Sequence, residues 1–154
     1  MAAIALTSQP GLCAMVSAGQ EPKGTQYLFV FLGTLAAQDG GSVKLGPPSA
    51  PGEFTVFAGA GAPSTANVAV IVAQTTDASC AEDPALGATG VSGSVRLQAV
   101  NGQSFAGTFD LVVAEGVDSS GSPTGQTEHV TGTFSTRSCP GLSALLSPAA
   151  TQCI

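Results

Sequence analysis

Apolar side chains recur at every second position through three stretches that share one design: VSGSVRL from Val91 to Leu97, FAGTFDL from Phe105 to Leu111, and VTGTFST from Val130 to Thr136. In each, an apolar residue is followed by a small one, then glycine, then Ser or Thr, then an apolar residue again. Successive side chains of a strand point to opposite faces. The spacing therefore sets Val91, Gly93, Val95 and Leu97 on one face, as it does Phe105, Gly107, Phe109 and Leu111, and then Val130, Gly132 and Phe134. Ser, Thr, Arg96 and Asp110 take the other face. An inward glycine leaves a gap beside it, and Phe105, Phe109 and Phe134 are the natural covers, so the repetition reads as core construction. A ligand groove floored by glycine is the functional counterpart, because glycine also marks close backbone approach. Asn101-Gly102 between the first two stretches predicts a tight antiparallel hairpin.

The same reading extends along the chain. Runs rich in Val, Phe, Leu and Thr, punctuated by Gly, Pro, Asp and Ser, predict strands at about Ala3–Thr7, Cys13–Ser17, Gln26–Thr34, Gly52–Ala58, Asn67–Gln74, Gly90–Val100, Ser104–Val113 and Glu128–Thr136. YLFVFLGTLAA, Tyr27 to Ala37, reads as a buried strand and falls short of the roughly 20 residues of a membrane helix. After Cys139, Pro140 suits a first helical position, Leu142, Leu145 and Leu146 follow helical spacing, and Pro148 stops the run. The expected fold is all-β: one domain over residues 1–154, an antiparallel β-sandwich of about eight strands, with a barrel as the alternative and one short C-terminal helix.

Composition narrows the setting. Hydrophobic residues make up 44% of the chain but charged ones only 9%, against a usual value of about 25%, so Ser, Thr, Gly and Ala must cover the surface. A surface of that kind is expected outside the cytosol. The net charge is −6 and the cations are Lys23, Lys44, Arg96 and Arg137; no basic stripe exists to neutralise phosphates, which argues against nucleic acid and anionic membranes as partners. Cys13, Cys80, Cys139 and Cys153 form an even set without a CxxC pair, which favours two disulfides over a zinc site. Three connectivities are open, and the short loop favours Cys139 with Cys153 and Cys13 with Cys80. The opening MAAIALTSQP has no basic n-region and too short an apolar stretch for a signal peptide, so any export leader is expected to have been removed. Leu12 before Cys13 is too large for a lipidation site.

The succession DASC at Asp77 to Cys80, GVSGSVRLQAV, GTFDLVV and HVTGTFSTRSC ending at Cys139, with IALTSQPGLCAM at Ile4 to Met15, resembles a set of uncharacterised bacterial secreted proteins and envelope lipoproteins. The resemblance covers most of the chain. It implies an exported β-sandwich displayed at the cell envelope, usually behind a lipidated leader that is expected to have been trimmed here, and it transfers no catalytic residue and no substrate.

Candidate chemistry is sparse. His129 is the only histidine, and Glu128 beside it would point to the opposite face of a strand, so no catalytic residue is assigned. There is no G-x-S-x-G elbow and no phosphate-cradling glycine loop. Asp110 faces solvent, Glu82, Asp83, Glu115 and Asp118 fall in loops, and Trp is absent, which leaves a glycosidase without a cleft or a sugar platform. Asp77, Glu82 and Asp83 are a weak calcium candidate, for which a solvated acidic loop is the better account. No cofactor is expected. The leading expectation is a non-enzymatic exported surface or matrix protein acting in adhesion or recognition of glycans or proteins through its loops. Two alternatives stand beside it. One is a small-ligand carrier with a cavity lined by the glycines and by Phe105, Phe109 and Phe134. The other is a self-assembling structural subunit joined by strand addition, with Ala2 to Thr7 as donor.

Overall fold

The computed structural model describes residues 1–37, 43–59, 63–83, 86–116, 122–145 and 152–154. Ten strands and two short helices follow in the order β1 (Ala2–Thr7), α1 (Leu12–Ser17), β2 (Gln20–Glu21), β3 (Gln26–Ala37), β4 (Val43–Gly46), β5 (Gly52–Val56), β6 (Asn67–Thr75), β7 (Ala88–Asn101), β8 (Ser104–Ala114), β9 (Thr127–Ser135), α2 (Leu142–Leu145) and β10 (Gln152–Cys153). Eight strands form one sheet in the order β1-β3-β6-β5-β7-β8-β9, with β4 on β3 and a further pairing of β6 with β7. Its pairs are antiparallel except β5 with β6, which run parallel through Thr55↔Val68 and Val56↔Ala69.

The fold is therefore all-β, as the alternation predicts, but the antiparallel sandwich is not what forms: a single mixed sheet curls into a half-barrel. The long strand β7 makes this possible. It pairs with β6 at Ala88 and Thr89, with β5 from Ser94 to Leu97, and with β8 along most of its length. Register shifts at Gly90/Ser92 and Leu97/Ala99 add the local bend and twist that a bulge introduces, so one sheet wraps round its own apolar face. Ile4, Val30, Leu32, Phe54, Ile71, Val95, Leu97, Leu111 and Phe134 meet there in one cluster. The first bulge also corrects the expected face of Val91: the register skips it, and it is only half-buried.

Strand β3 has two buried faces. Leu28, Val30 and Leu32 join the half-barrel core, whereas Tyr27, Phe29 and Phe31 project to the other side and pack with Leu12, Val16, Cys139 and Leu145. That second face explains why Leu12–Ser17 is a helix and not the predicted strand. Leu12 and Val16 lie one turn apart, on one helical face, and both are buried against the β3 rings. A six-residue helix has little stability of its own, so the cover it gives those rings decides its conformation. Leu145 of α2, the short C-terminal helix, does the same, whereas Leu142 does not join that cluster, and Leu146 and Pro148 lie outside the described residues.

The β7–β8 hairpin forms with a different centre from the one expected. Asn101 pairs with Ser104, leaving Gly102 and Gln103 as the two turn residues, and Gly102 takes φ 63. Glycine at the first turn position is the requirement of a type II′ hairpin. Strands β2, β4 and β10 carry no predicted counterpart.

Candidate functional site

A curled sheet that stops short of closure keeps two free edges. Here one is formed by β1, with β4 further along β3, and the other by β9, since each of these strands pairs on one side alone among the described strands. A cleft of about 810 Å³ lies along β1, bordered by Met1 to Thr7 on one side and by Ser135 to Cys139 on the other, with Gln103, Phe105 and Leu142 among its remaining walls. A smaller cleft of about 480 Å³ continues beyond Leu6 and Thr7, walled by Phe109, Val113, Glu128 and Val130.

The ladder of β1 fixes what its edge offers. Residues of an antiparallel pair alternate between those bonded to the neighbour and those whose N–H and C=O point away. The Ser8 amide donates to the Gln26 carbonyl at 3.2 Å, and the register continues Leu6↔Leu28, Ile4↔Val30 and Ala2↔Leu32. Those residues bond inward to β3. On its other side β3 bonds to β6 through the alternate residues, as the Leu35 amide donating to Ala66 at 2.7 Å shows. Ala3, Ala5 and Thr7 therefore direct their backbone groups into the cleft.

Across the cleft, the Thr136 amide donates to the Phe105 carbonyl at 2.8 Å, and the Ser138 hydroxyl donates to Gln103 Oε1 at 2.6 Å. These bonds hold the segment that carries Arg137. Among the described residues, Arg137 is the one charged side chain on the walls of the larger cleft, and it has no ion-pair partner there. Cys139, two residues further on, bonds to Cys13 and so ties this segment to α1.

Both disulfides predicted from the even cysteine count are present, but their pairing is Cys13–Cys139 and Cys80–Cys153, not the short-loop arrangement. Loop length decides little, because each doubling costs only about 0.6 kcal/mol. Packing decides more. Cys139 sits in the cluster with α1, whereas parallel pairing of β10 with β2 (Gln152↔Gln20, Cys153↔Glu21) carries Cys153 away from it. Two disulfides imply an oxidising, extracytoplasmic environment. No helix among the described residues is long and apolar enough to cross a membrane.

The glycine motif is brought together unevenly. The Phe109 ring lies over Gly132, where an added Cβ would meet its Cζ at 2.6 Å. Phe134 lies over Gly107, with Cζ at 3.1 Å from such a Cβ, and the two rings stack at 6.4 Å. Gly93 behaves differently. It has φ 110 and is exposed beside the bulge, its nearest neighbours being the backbone of Asp110 and Leu111 and not a ring. Phe105 is buried at the wall of the larger cleft. The space over Gly107 and Gly132 is thus filled by side chains.

The acidic loop folds on itself. Asp77 Oδ1 accepts from the Ser79 amide and hydroxyl, each at 2.7 Å, and from the Ala81 amide at 3.0 Å. The Ser79 hydroxyl, then the Ser79 and Ala81 amides, hold the Asp77 carboxyl below the usual carboxylate range. This turn sets Cys80 at φ 62 for its bond to Cys153. Glu82 Oε1 accepts from the Gln74 side-chain Nε2 at 2.9 Å, and among the described residues no three His, Cys, Asp or Glu side chains gather round a common point. His129 faces Asp110 and not Glu128: Nε2 lies 2.6 Å from Oδ1, with both side chains mostly exposed. The β8–β9 register, which opposes Asp110 to Thr131, was the signal that would have found this diagonal pair. Asp118 lies outside the described residues.

Comparison with protein-family models, with curated proteins and with solved structures returned no match.

Proposed function

We propose that the protein is an exported, non-catalytic recognition domain, and that its binding element is the cleft along the open seam of the half-barrel. The carrying observation is the cleft itself: about 810 Å³, bordered by a strand edge on one side and the Ser135 to Cys139 segment on the other. Binding pockets of ordinary size fall in the range of about 300–1,000 Å³. The reading keeps the envelope setting of the resembled secreted proteins and moves the contact surface from loops in general to this seam. A glycine-floored carrier has less support, because Phe109 and Phe134 occupy the space over Gly132 and Gly107. A donor role for Ala2 to Thr7 also has less support, because β1 is built into its own sheet with Ile4 in the core.

The test uses Ser138→Trp, an exposed cleft-wall position in a protein without tryptophan. The new ring both fills the cleft and reports on it. Glycan and peptide arrays probed with native protein should give ligands whose binding Ser138→Trp abolishes. Ligands indifferent to Ser138→Trp, or blank arrays, would remove the cleft from the account.

A further inference from the structure

The chemistry of the cleft walls says more than that something fits between them. One wall is a row of main-chain donors and acceptors, from Ala3, Ala5 and Thr7, in the repeat that another extended chain presents. Nothing on β1 guards this edge. A protected edge carries a charge, a proline or a bulge, whereas AAIALT has none of these and its register with β3 is unbroken. The core-facing residues of β1, Ile4 and Leu6, also line the cleft, so every second side chain of an arriving strand would meet an apolar surface.

Two features narrow the occupant. Ser135 to Cys139 forms the far wall, so the space takes a single extended segment and not the edge of an intact second sheet. Among the described residues Arg137 supplies the only side-chain charge there, and it is uncompensated, in a chain of net charge −6. That local charge is complementary to a carboxylate on the entering segment.

We propose that the seam captures an extended polypeptide segment of about six residues by strand addition to β1, with alternate apolar side chains turned to Ile4 and Leu6 and a carboxylate set against Arg137. This rests on the seam being the recognition element and adds what it recognises. The segment accepts hydrogen bonds from the Ala3, Ala5 and Thr7 amides and donates to their carbonyls, extending the sheet by one strand beyond β1.

The probe is a library of fluorescein-labelled octapeptides that alternate Thr with Val, Ile, Leu or Phe, each made with a free C-terminal carboxylate and as its amide. Anisotropy is measured against the native, oxidised protein. Members that bind should weaken about tenfold or more when alternate backbone amides are N-methylated, since one series of main-chain bonds is then lost. Ala5→Pro should do the same. Its amide faces the cleft, and proline is tolerated at such an edge position; Ala3→Pro serves if Ala5→Pro does not fold. Arg137→Gln should weaken the carboxylate peptides about two- to fivefold and leave the amides unchanged, as for an exposed charge contact. Binding indifferent to N-methylation and to both proline variants would overturn strand addition. So would the absence of binding by every member up to about 1 mM. If glycans or other ligands sensitive to Ser138→Trp are found at the same time, the recognition reading survives and only the peptide assignment falls.

Discussion

Gly107→Ala places a methyl group where the backbone of the neighbouring strand already stands. The added Cβ would run into the Arg96 carbonyl oxygen and sit 3.1 Å from Phe134 Cζ. A ring can turn aside, but a carbonyl in the β7–β8 ladder cannot move without loosening that hairpin. Overpacking of this kind costs about 1–3 kcal/mol, here at the upper end because the obstacle is main chain. The unfolded chain loses freedom when glycine becomes alanine, which returns about 0.4–1 kcal/mol. The net loss is about 2 kcal/mol, or about 4–8 °C in Tm for a domain of this size. Gly132→Ala meets only the tip of the Phe109 ring, at 2.6 Å, so it should cost less, about 1 kcal/mol, and much of that should vanish in a Phe109→Leu background. Gly46→Ala is the control, since its nearest neighbour would be the Thr34 carbonyl at 3.9 Å. Thermal and urea unfolding followed by far-UV circular dichroism on oxidised protein gives the three values. Equal Tm for the Gly107→Ala and Gly46→Ala proteins would refute the argument that these glycines exist for close packing.

Further expectations follow from the same contacts. Peptide mapping under non-reducing conditions should recover Cys13 with Cys139 and Cys80 with Cys153; removing the second pair as Cys80→Ser/Cys153→Ser should cost about 2–4 kcal/mol, whereas a Cys139–Cys153 peptide would contradict the packing of α1 and β10. Burial, reinforced by the negative charge of Glu21 and opposed by the Thr25 hydroxyl, pushes the Tyr27 phenol up to about 12. Its contribution is therefore intact below the ordinary tyrosine pKa near 10 and is lost as pH rises from there toward 12, so alkaline unfolding of Tyr27→Phe should show a shallower decline than the native protein. For Asp77 the sign is reversed. Its depressed carboxyl contributes above the ordinary carboxylate range and loses that contribution as pH falls through its own lower pKa, so Asp77→Ala should flatten the acid limb of a stability–pH curve, and an unchanged limb would show that the turn round Cys80 does not depend on it.

Much of the β framework was legible because long strands repeat their pattern many times. Phe105, Phe109 and Leu111 on β8, and Val95 and Leu97 on β7, point inward as alternation requires. What was illegible shares a different cause. Leu12 and Val16 satisfy both a short strand and a single helical turn, and only the uncovered Tyr27–Phe29–Phe31 face of β3 decides between them. The bulge at Val91, the parallel contact of β5 with β6 and the two-residue strands β2 and β10 leave no periodic trace. The cleft was hidden for a related reason. Which strand becomes an edge depends on sheet order, a property of long-range pairing, so neither the open side of β1 nor the position of Arg137 beside it could be read from local sequence.

Residue-resolved amide hydrogen exchange on the free, oxidised protein tests the central claim most directly, because it reads the open seam without any ligand. If β1 is a free edge, the amides of Ala3, Ala5 and Thr7 exchange about tenfold or more faster than those of Ile4 and Leu6, which bond to β3. Uniform protection along β1 would mean that another strand already covers that edge, and the seam would not be the binding element of this protein.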